Sequence, residues 1–336
     1  MPLISFCIST FKRGIVLKET LETIKRQTYS SFEVIIADND HEESARPFVE
    51  SLNDNRFCYY PNGANLGMKA SFNRSLSFAK GEYVVMIADD DPIYPDMLET
   101  LVKLSEDYPG YGLYMGGCDW FCKDKDVAPL YRLNVGTNSC LNDDFNINDI
   151  RVFSTAEFLS QFYTFKIFKH FLWSTCIVKN DLLKRMGGIP DYGSPFLGDY
   201  AYMSIAATEK GCVVINKSLG CQTIHRENFG RSQNDQLPVV AVKFPEYLNN
   251  KLSGLNEWPN IKPLMMRFVS LWLVEHLSFL YHFKDKGSID IVSLTKAERE
   301  VFELPFMKTY KFKFYLKKNH QTFHDWLVKI KKTFVK

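Results

Sequence analysis

The sequence predicts an α/β fold with a mostly parallel, doubly wound sheet, and three observations support this prediction. Short apolar runs alternate with segments of helical periodicity through the first hundred residues, as in parallel strands joined by helices. The runs are continuously apolar, which is typical of strands covered on both faces. Polar residues directly follow several of these runs, at the strand ends where such sheets bind ligands.

The predicted elements follow one another in a regular order. Predicted strands cover residues 3–8, 32–37, 57–60 and 83–88, and later 174–178 and 212–215. Between the first four, Leu17, Leu21 and Ile24 have helical spacing, and further helices are predicted over 45–52 and 68–79. Ser154 and Glu157 have the spacing of a capping box. Residues 119–150 lose the alternation and are predicted to form a long surface excursion, whereas the chain after residue 239 is predicted to be helical.

Composition excludes some functions and restricts others. With 41 basic and 39 acidic side chains, the chain has no overall field that would attract nucleic acid. Its scattered cysteines suit a reducing cytoplasm, and no signal peptide precedes the first strand pattern. The longest apolar stretch, residues 264–283, is interrupted by Arg267, Glu275 and His276. We therefore predict that it does not span a membrane.

Three consecutive carboxylates, Asp89, Asp90 and Asp91, follow the apolar run that ends at Ala88. Like charges this close raise one another's pKa, whereas a divalent ion accepts hard oxygen ligands and favours the ionised forms. The alternative is a solvated acidic turn ahead of Pro92. Neither GxxxxGK[ST] nor GxGxxG is present, so a bound diphosphate would be held by the ion and by single side chains.

The order of several short motifs resembles the family-2 glycosyltransferases, which have the GT-A fold. The matching motifs are ISFCISTF at 4–11, QT at 27–28, FEVIIADND at 32–40, NLG at 65–67, GEY at 81–83, YPD at 94–96 and GDY at 198–200. The resemblance covers roughly residues 1–230. It implies a GT-A catalytic domain over 1–235, with a nucleotide-binding part (1–118) and an acceptor-binding part (119–235), followed by a helical region over 236–336.

The resemblance also implies a set of residues that bind the nucleotide-sugar donor, for which a UDP-sugar is the first candidate. Asp38 matches the carboxylate that pairs with the imide hydrogen of uracil, and Phe11 offers a flat face to a base. Arg13 is expected to neutralise diphosphate charge, although a solvated helix start is the alternative. The full set is Ser9, Thr10, Phe11, Arg13, Asp38, Asn65, Lys69 and Asp89.

A Mg²⁺ or Mn²⁺ cofactor follows from the same resemblance. Alignment through residues 94–96 makes Asp90 the direct metal ligand, with Asp91 helping to hold the ion and His225 as a further candidate ligand. A lone His is also often structural, and the family's more usual first Asp falls here on Ala88. The loop that contains Arg226, Arg231 and Ser232 is predicted to fold over the diphosphate.

Asp199 is the predicted catalytic base of an inverting transfer. It follows Gly198 at the start of a predicted helix, where the helix dipole favours an ionised carboxylate. Such a carboxylate could take the proton from an acceptor hydroxyl. The family motif has Glu where this chain has Gly198. The alternative role for Asp199 is a plain N-cap.

The C-terminal segment 308–336 combines nine lysines with aromatic residues. It is expected either to contact an anionic membrane surface or to pack on the protein with its lysines solvated. The predicted acceptor is a saccharide or a lipid-linked saccharide, and the predicted location is the cytoplasm or the inner face of the cell membrane. Two other functions stay open at this point: a nucleotidyltransferase, and a catalytically silent subunit that binds sugar nucleotides or glycans.

Overall fold

The structure, a computed structural model, describes residues 1–225, 233–283 and 289–320. The chain forms two compact units. The first comprises residues 1–123, 135–191 and 198–224, and the second comprises 124–134, 192–197 and 225 onward. The sheet belongs to the first unit, whereas the second is helical. The first unit begins with the same alternation of strand and helix that the sequence predicts.

The first unit is built on one twisted sheet of nine strands. The order across the sheet is β3-β2-β1-β4-β8-β5-β9-β7, and β6 pairs with β5. The strands are β1 (Ile4–Thr10), β2 (Phe32–Asp38), β3 (Phe57–Pro61), β4 (Tyr83–Ala88), β5 (Leu113–Cys122), β6 (Gly136–Asn138), β7 (Ile150–Phe153), β8 (Cys176–Lys179) and β9 (Cys212–Ile224).

Helices cover both faces of the first four strands. The helices of this unit are α1 (Gly14–Lys25), α2 (Arg46–Glu50), α3 (Met68–Phe78), α4 (Met97–Asp107), α6 (Thr155–Phe162), α7 (Asn180–Arg185) and α8 (Gly198–Ala206). Leu17, Leu21 and Ile24 of α1 are buried in one core with alternate residues of β1, β2 and β4, as their helical spacing predicts. The α3 helix packs on β1 and β2.

The predicted GT-A type of sheet is confirmed, but it is more mixed than the sequence indicates. The pairs β1/β2, β2/β3, β1/β4 and β5/β9 are parallel. However, β8 lies between β4 and β5 and is antiparallel to both. Residues 119–150, predicted to be a surface excursion, contain the end of β5, the short strand β6 and the beginning of β7. Both β6 and β7 are antiparallel additions.

The second unit contains the predicted C-terminal helices. These are α9 (Gln236–Leu252), α10 (Trp258–Phe283), α11 (Ile291–Glu303) and α12 (Lys311–Asn319). The unit also contains the short helix α5 (Ala128–Tyr131), which the sequence analysis did not predict. Aromatic contacts hold them together. The rings of Phe244 on α9 and Phe268 on α10 are 6.3 Å apart, and those of Phe302 on α11 and Phe314 on α12 are 4.9 Å apart.

Within the part of the chain that the structure describes, α10 is long and apolar enough to cross a membrane. This test concerns length and composition alone, so the sequence-based prediction that the stretch does not span a membrane stays a prediction. Half of its most apolar window is buried inside the protein, as in the central helix of a helical bundle.

Candidate active site

The carboxyl ends of β1, β2 and β4 form one edge of the sheet. Because these strands are parallel, Ser9 lies beside Ala37 on one side and Ala88 on the other, and Thr10 lies beside Asp38. Polar residues that are far apart in the sequence therefore meet at this edge. The predicted convergence of strand ends is confirmed for these three strands.

The aspartate triplet at the end of β4 is held by the residues that follow β1. The hydroxyl of Thr10 donates to Asp89 Oδ2 at 2.8 Å. The guanidinium of Arg13 bridges two carboxylates, with Nη1 at 2.6 Å from Asp89 Oδ1 and Nη2 at 2.6 Å from Asp90 Oδ2. The hydroxyl of Thr20 in α1 donates to the main-chain oxygen of Asp89 at 3.0 Å. The triplet is therefore a fixed part of the protein and not a solvated acidic turn.

Burial and mutual repulsion raise the pKa of two of these carboxyl groups. Burial is the main cause for Asp89, whose pKa is raised to about 6 even though Arg13 opposes the shift. For Asp91, burial and then the charge of Asp90 raise the pKa well above its usual range. The charge of Asp199 contributes to the same shift. Asp199 thus acts electrostatically on the triplet, and its place in the same site stays a prediction.

Asp199 occupies the first turn of α8 and is partly buried. Burial raises the pKa of its carboxyl to about 7. This differs from the sequence-based expectation, in which the helix dipole would favour the ionised form. Burial is the cause of this shift, because removal of a carboxyl from water disfavours its charged form. The ring of the next residue, Tyr200, packs against Phe162 and Phe171. A carboxyl with this pKa suits a general base near neutral pH.

Thr223, near the end of β9, is a site residue that the sequence analysis missed. Its hydroxyl donates to the main-chain oxygen of Asp90 at 2.5 Å, and its amide donates to Asp91 Oδ1 at 3.3 Å. The amide of Cys221 similarly donates to the main-chain oxygen of Pro92 at 2.8 Å. These contacts fix the triplet against β9, but no local pattern could reveal them, because the partners are more than 100 residues apart.

The structure shows how Asp38, a predicted nucleotide-binding residue, is held within the protein. Its side chain is fully buried. Oδ1 accepts from the amide of Asp40 at 2.9 Å, and Oδ2 accepts from the amide of Ala45 at 3.1 Å and from the hydroxyl of Tyr59 at 2.8 Å. Through these contacts, Asp38 organises the turn that follows β2. Its pairing with uracil stays a prediction.

We predict that Asp38→Ala lowers the free energy of unfolding by about 3 kcal/mol, because it leaves two buried amides and the Tyr59 hydroxyl without their acceptor. Urea denaturation would measure the loss. Asp107→Ala is the matched control, since this carboxylate at the end of α4 is exposed and its removal should cost less than about 0.5 kcal/mol. A change of the same size in both variants would contradict the structural role of Asp38.

The other predicted nucleotide-binding residues have defined contacts. Ser9 donates to the hydroxyl of Ser71 at 2.7 Å, and Asn65 Oδ1 accepts from the side-chain amide of Asn39 at 2.7 Å. Lys69 forms an ion pair with Asp191 at 2.8 Å. Phe11 leaves 41% of its surface exposed, so a flat ring is available to a ligand. Their roles toward a nucleotide stay predictions.

The residues predicted to hold a metal ion offer hard oxygen atoms but not a complete site. Among the described residues, no group of three His, Cys, Asp or Glu side chains could hold an ion by itself. Asp90 and Asp91 nevertheless have the chemistry that Mg²⁺ and Mn²⁺ prefer, and these ions commonly take further ligands from substrate phosphates. The triplet therefore fits an ion that binds together with a diphosphate.

His225 follows β9 directly and is the first residue of the second unit after that strand. Its role as a metal ligand stays a prediction. The loop residues predicted to close over the diphosphate, Arg226, Arg231 and Ser232, lie outside the described residues, as does the C-terminal part of 308–336 from residue 321 onward.

Comparison with known proteins identifies the family. Residues 5–172, half of the chain, match the model of glycosyl transferase family 2. The chain belongs to this family. Among curated relatives, it is 35% identical over 137 residues to the putative colanic acid biosynthesis glycosyl transferase WcaA of Escherichia coli, a match that covers 39% of this chain and 49% of the relative.

A second relative of this family-2 glycosyltransferase is the GalNAc(5)-diNAcBac-PP-undecaprenol β-1,3-glucosyltransferase of Campylobacter jejuni. The two are 29% identical over 121 residues, which is 35% of this chain and 38% of the relative. The chain thus matches less than half of the length of either curated relative.

Solved structures show the same fold over nearly the whole chain. S. aureus TarS 1–349 in complex with UDP-GlcNAc superposes with a TM-score of 0.57 at 14% identity, covering 95% of this chain and 93% of the TarS chain. The mannosyltransferase PcManGT from Pyrobaculum calidifontis in complex with GDP-Man and Mn²⁺ has a TM-score of 0.55 at 16% identity, with 95% and 88% coverage. The GT-A fold of this family-2 glycosyltransferase is therefore confirmed.

Proposed function

We propose that this family-2 glycosyltransferase moves a sugar from a nucleotide-sugar, with a UDP-sugar as the first candidate, to a hydroxyl of a saccharide or lipid-linked acceptor. The transfer depends on a divalent metal ion and inverts the anomeric carbon. One observation carries the proposal. Three carboxylates at the carboxyl end of β4 are held in place by Thr10, Arg13 and Thr223, and they offer hard oxygen atoms at the edge of the sheet where this fold binds ligands. The charge of Asp199 raises the pKa of Asp91 in this cluster, which supports Asp199 as the proton acceptor of the same site.

Asp199 acts as the general base in this proposal. Its carboxylate accepts the proton of the acceptor hydroxyl while that oxygen forms a bond to the anomeric carbon. The bond from the anomeric carbon to the diphosphate breaks in the same displacement, and the nucleoside diphosphate leaves. A single displacement with one base and no covalent intermediate inverts the configuration. A pKa of about 7 leaves about half of the carboxyl groups ionised at neutral pH.

Asp90, with Asp91, is proposed to hold the ion, and Asp89 faces the ribose or the sugar. When bound, Mg²⁺ or Mn²⁺ supplies a Lewis acid that stabilises the charge of the leaving diphosphate. Arg13, which pairs with Asp89 and Asp90 in this structure, is proposed to neutralise charge on the diphosphate. Thr10 and Thr223 hold the triplet in place through the hydrogen bonds described above.

The acceptor and the cellular location are part of the proposal. The Campylobacter relative is named for an undecaprenol-linked glycan. By analogy, we propose that this protein uses a lipid-linked acceptor and transfers the sugar at the inner face of the cell membrane. On the described part of 308–336, Lys308, Lys311, Phe312 and Tyr315 are exposed. Lys308 lies in the 3-10 segment Pro305–Tyr310, whereas the other three lie in α12, where Tyr315 is about one turn from both Lys311 and Phe312. Lys317 and Lys318 instead pair with Glu275 and Glu298 inside the second unit. The exposed residues are the ones proposed to contact anionic lipid.

A thermal-shift panel tests the donor and the ion together. UDP, GDP, CDP, ADP and TDP would each be added with and without Mn²⁺ to the wild type and to Asp90→Ala. We expect one nucleotide to raise Tm by several degrees only with Mn²⁺, because a ligand at about 100 times its Kd stabilises the folded state by about 2.7 kcal/mol. Asp90→Ala should lose this shift.

Asp107→Ala serves as the control for the panel, because it removes a carboxylate that lies outside the site and is half exposed. It should keep the wild-type response. Stabilisation that is equal in Asp90→Ala and the wild type would contradict the metal assignment. If no nucleotide stabilises the wild type and no donor is hydrolysed in the presence of Mn²⁺, the proposed transferase activity would be rejected in favour of a catalytically silent protein.

A further inference from the structure

Arg13 occupies the carboxylate oxygens that the proposed ion requires. One guanidinium nitrogen lies 2.6 Å from Asp89 and the other lies 2.6 Å from Asp90. Asp89 is 5% exposed, so its charge depends on a partner inside the protein. The two Asp side chains and Arg13 thus form a compact cluster, in which the guanidinium of Arg13 occupies the position expected for a metal ion.

The backbone at Arg13 is held, whereas its side chain has access to solvent. The next residue, Gly14, begins α1 in close contact with Phe48 and Ser44; a Cβ at this position would lie 2.4 Å from the ring of Phe48 and 2.9 Å from the oxygen of Ser44. The start of the helix is therefore fixed. The side chain of Arg13 is 37% exposed, which leaves room for it to change rotamer without moving α1.

A divalent ion and the guanidinium cannot both bind Asp90 through the same oxygen. Two positive charges a few ångströms apart repel one another strongly in a partly buried site. An ion that binds alone must therefore displace Arg13 from Asp90, which leaves the guanidinium with Asp89 but without the second of its two ion-pair partners. If a diphosphate binds together with the ion, its negatively charged oxygens can accept paired hydrogen bonds from the planar guanidinium of Arg13.

We propose that Arg13 is an internal counter-ion that pairs with Asp89 and Asp90 before the donor binds. When the metal ion binds Asp90, the guanidinium of Arg13 moves to pair with the diphosphate. This inference rests on the proposed function. It makes the binding of ion and nucleotide mutually dependent. The ion alone binds weakly because it competes with Arg13 for Asp90. The nucleotide raises the affinity for the ion because its diphosphate gives Arg13 a new anionic partner. Arg13 is a donor-binding residue in this scheme.

The test measures binding, not transfer. Mn²⁺ alone would be titrated against the full chain and followed by the EPR signal of free Mn²⁺, for wild type, Arg13→Gln and Arg13→Ala. Both variants remove the competing charge, so we expect Mn²⁺ alone to bind about tenfold more tightly than to the wild type, a coupling of the usual size. UDP, or the nucleoside diphosphate that stabilises the wild type, should bind about tenfold more weakly at saturating Mn²⁺.

The factor by which the nucleotide improves Mn²⁺ affinity should consequently shrink in both variants. Arg46→Gln is the control, since Arg46 pairs with Glu43 and Glu50 at the surface, and it should behave as the wild type does. If Arg13→Gln and Arg13→Ala fold but bind Mn²⁺ alone no more tightly than the wild type, the counter-ion role is overturned. That result leaves the proposed function standing when the wild type still binds nucleotide with Mn²⁺, so the two failures can be told apart.

Discussion

Asp199→Asn is expected to lower kcat for sugar transfer by about 10³-fold, which is the usual contribution of a general base. The amide has nearly the same shape as the carboxyl but cannot accept the acceptor's proton. Because Asp199 is proposed to act on the acceptor and not on the nucleotide, the Kd for the nucleoside diphosphate in the presence of Mn²⁺ should change less than about threefold. Single-turnover transfer and nucleotide titration would measure the two quantities.

Stability provides the control for this variant. Burial raises the pKa of Asp199 to about 7, so the folded state holds this proton more tightly than the unfolded chain does. The contribution of the group to stability is therefore present at acidic pH and is lost as pH rises through about 7. At pH 8, Asp199→Asn removes a partly buried charge, and its Tm should equal or exceed that of the wild type. Transfer at the wild-type rate by a folded Asp199→Asn protein would reject the base assignment.

The rate of transfer by the wild type should rise about tenfold between pH 6 and pH 8. Only the ionised carboxylate accepts a proton. With a pKa of about 7, the ionised fraction grows from about one tenth at pH 6 to about nine tenths at pH 8. The measurement is kcat at saturating donor and acceptor in buffers of constant ionic strength.

The variant Asp199→Glu separates this titration from other effects of pH, because it keeps an ionisable group at the same position with a longer side chain. We expect a lower rate but a profile that still rises with pH. A wild-type profile that is flat from pH 6 to pH 8, with the protein folded throughout, would show that no group with a pKa near 7 controls the chemical step.

Local patterns in the sequence were sufficient to predict the first half of the sheet. The apolar runs of β1, β2 and β4 and the helical spacing in α1 reflect burial on both faces of a sheet, and this constraint acts on consecutive residues. The capping box at Ser154 and Glu157 is present at the start of α6, because both partners lie within one turn of the helix. The position of the Asp triplet at a strand end follows from the same local reasoning.

Longer strands with irregular pairing were harder to predict. The sequence indicates a strand over 212–215, whereas β9 continues to Ile224. The polar residues Asn216, Lys217 and Ser218 interrupt the apolar pattern, and the pairing of β5 with β9 shifts register opposite them, at Gly116 and Gly117. A bulge of this kind depends on both strands, so it cannot be predicted from either segment alone.

The sequence by itself determined the fold class, the strand-end position of the carboxylates and the family resemblance, because these depend on local periodicity and on short motifs in order. Only the tertiary structure decided the roles of individual side chains. It assigned Asp38 to the interior and tied the triplet to Thr223. It also placed Arg13 between two carboxylates and raised the pKa of Asp199 to about 7. The physical reason is that desolvation and ion pairing depend on partners brought together by folding, and these partners leave no signal in the neighbouring sequence.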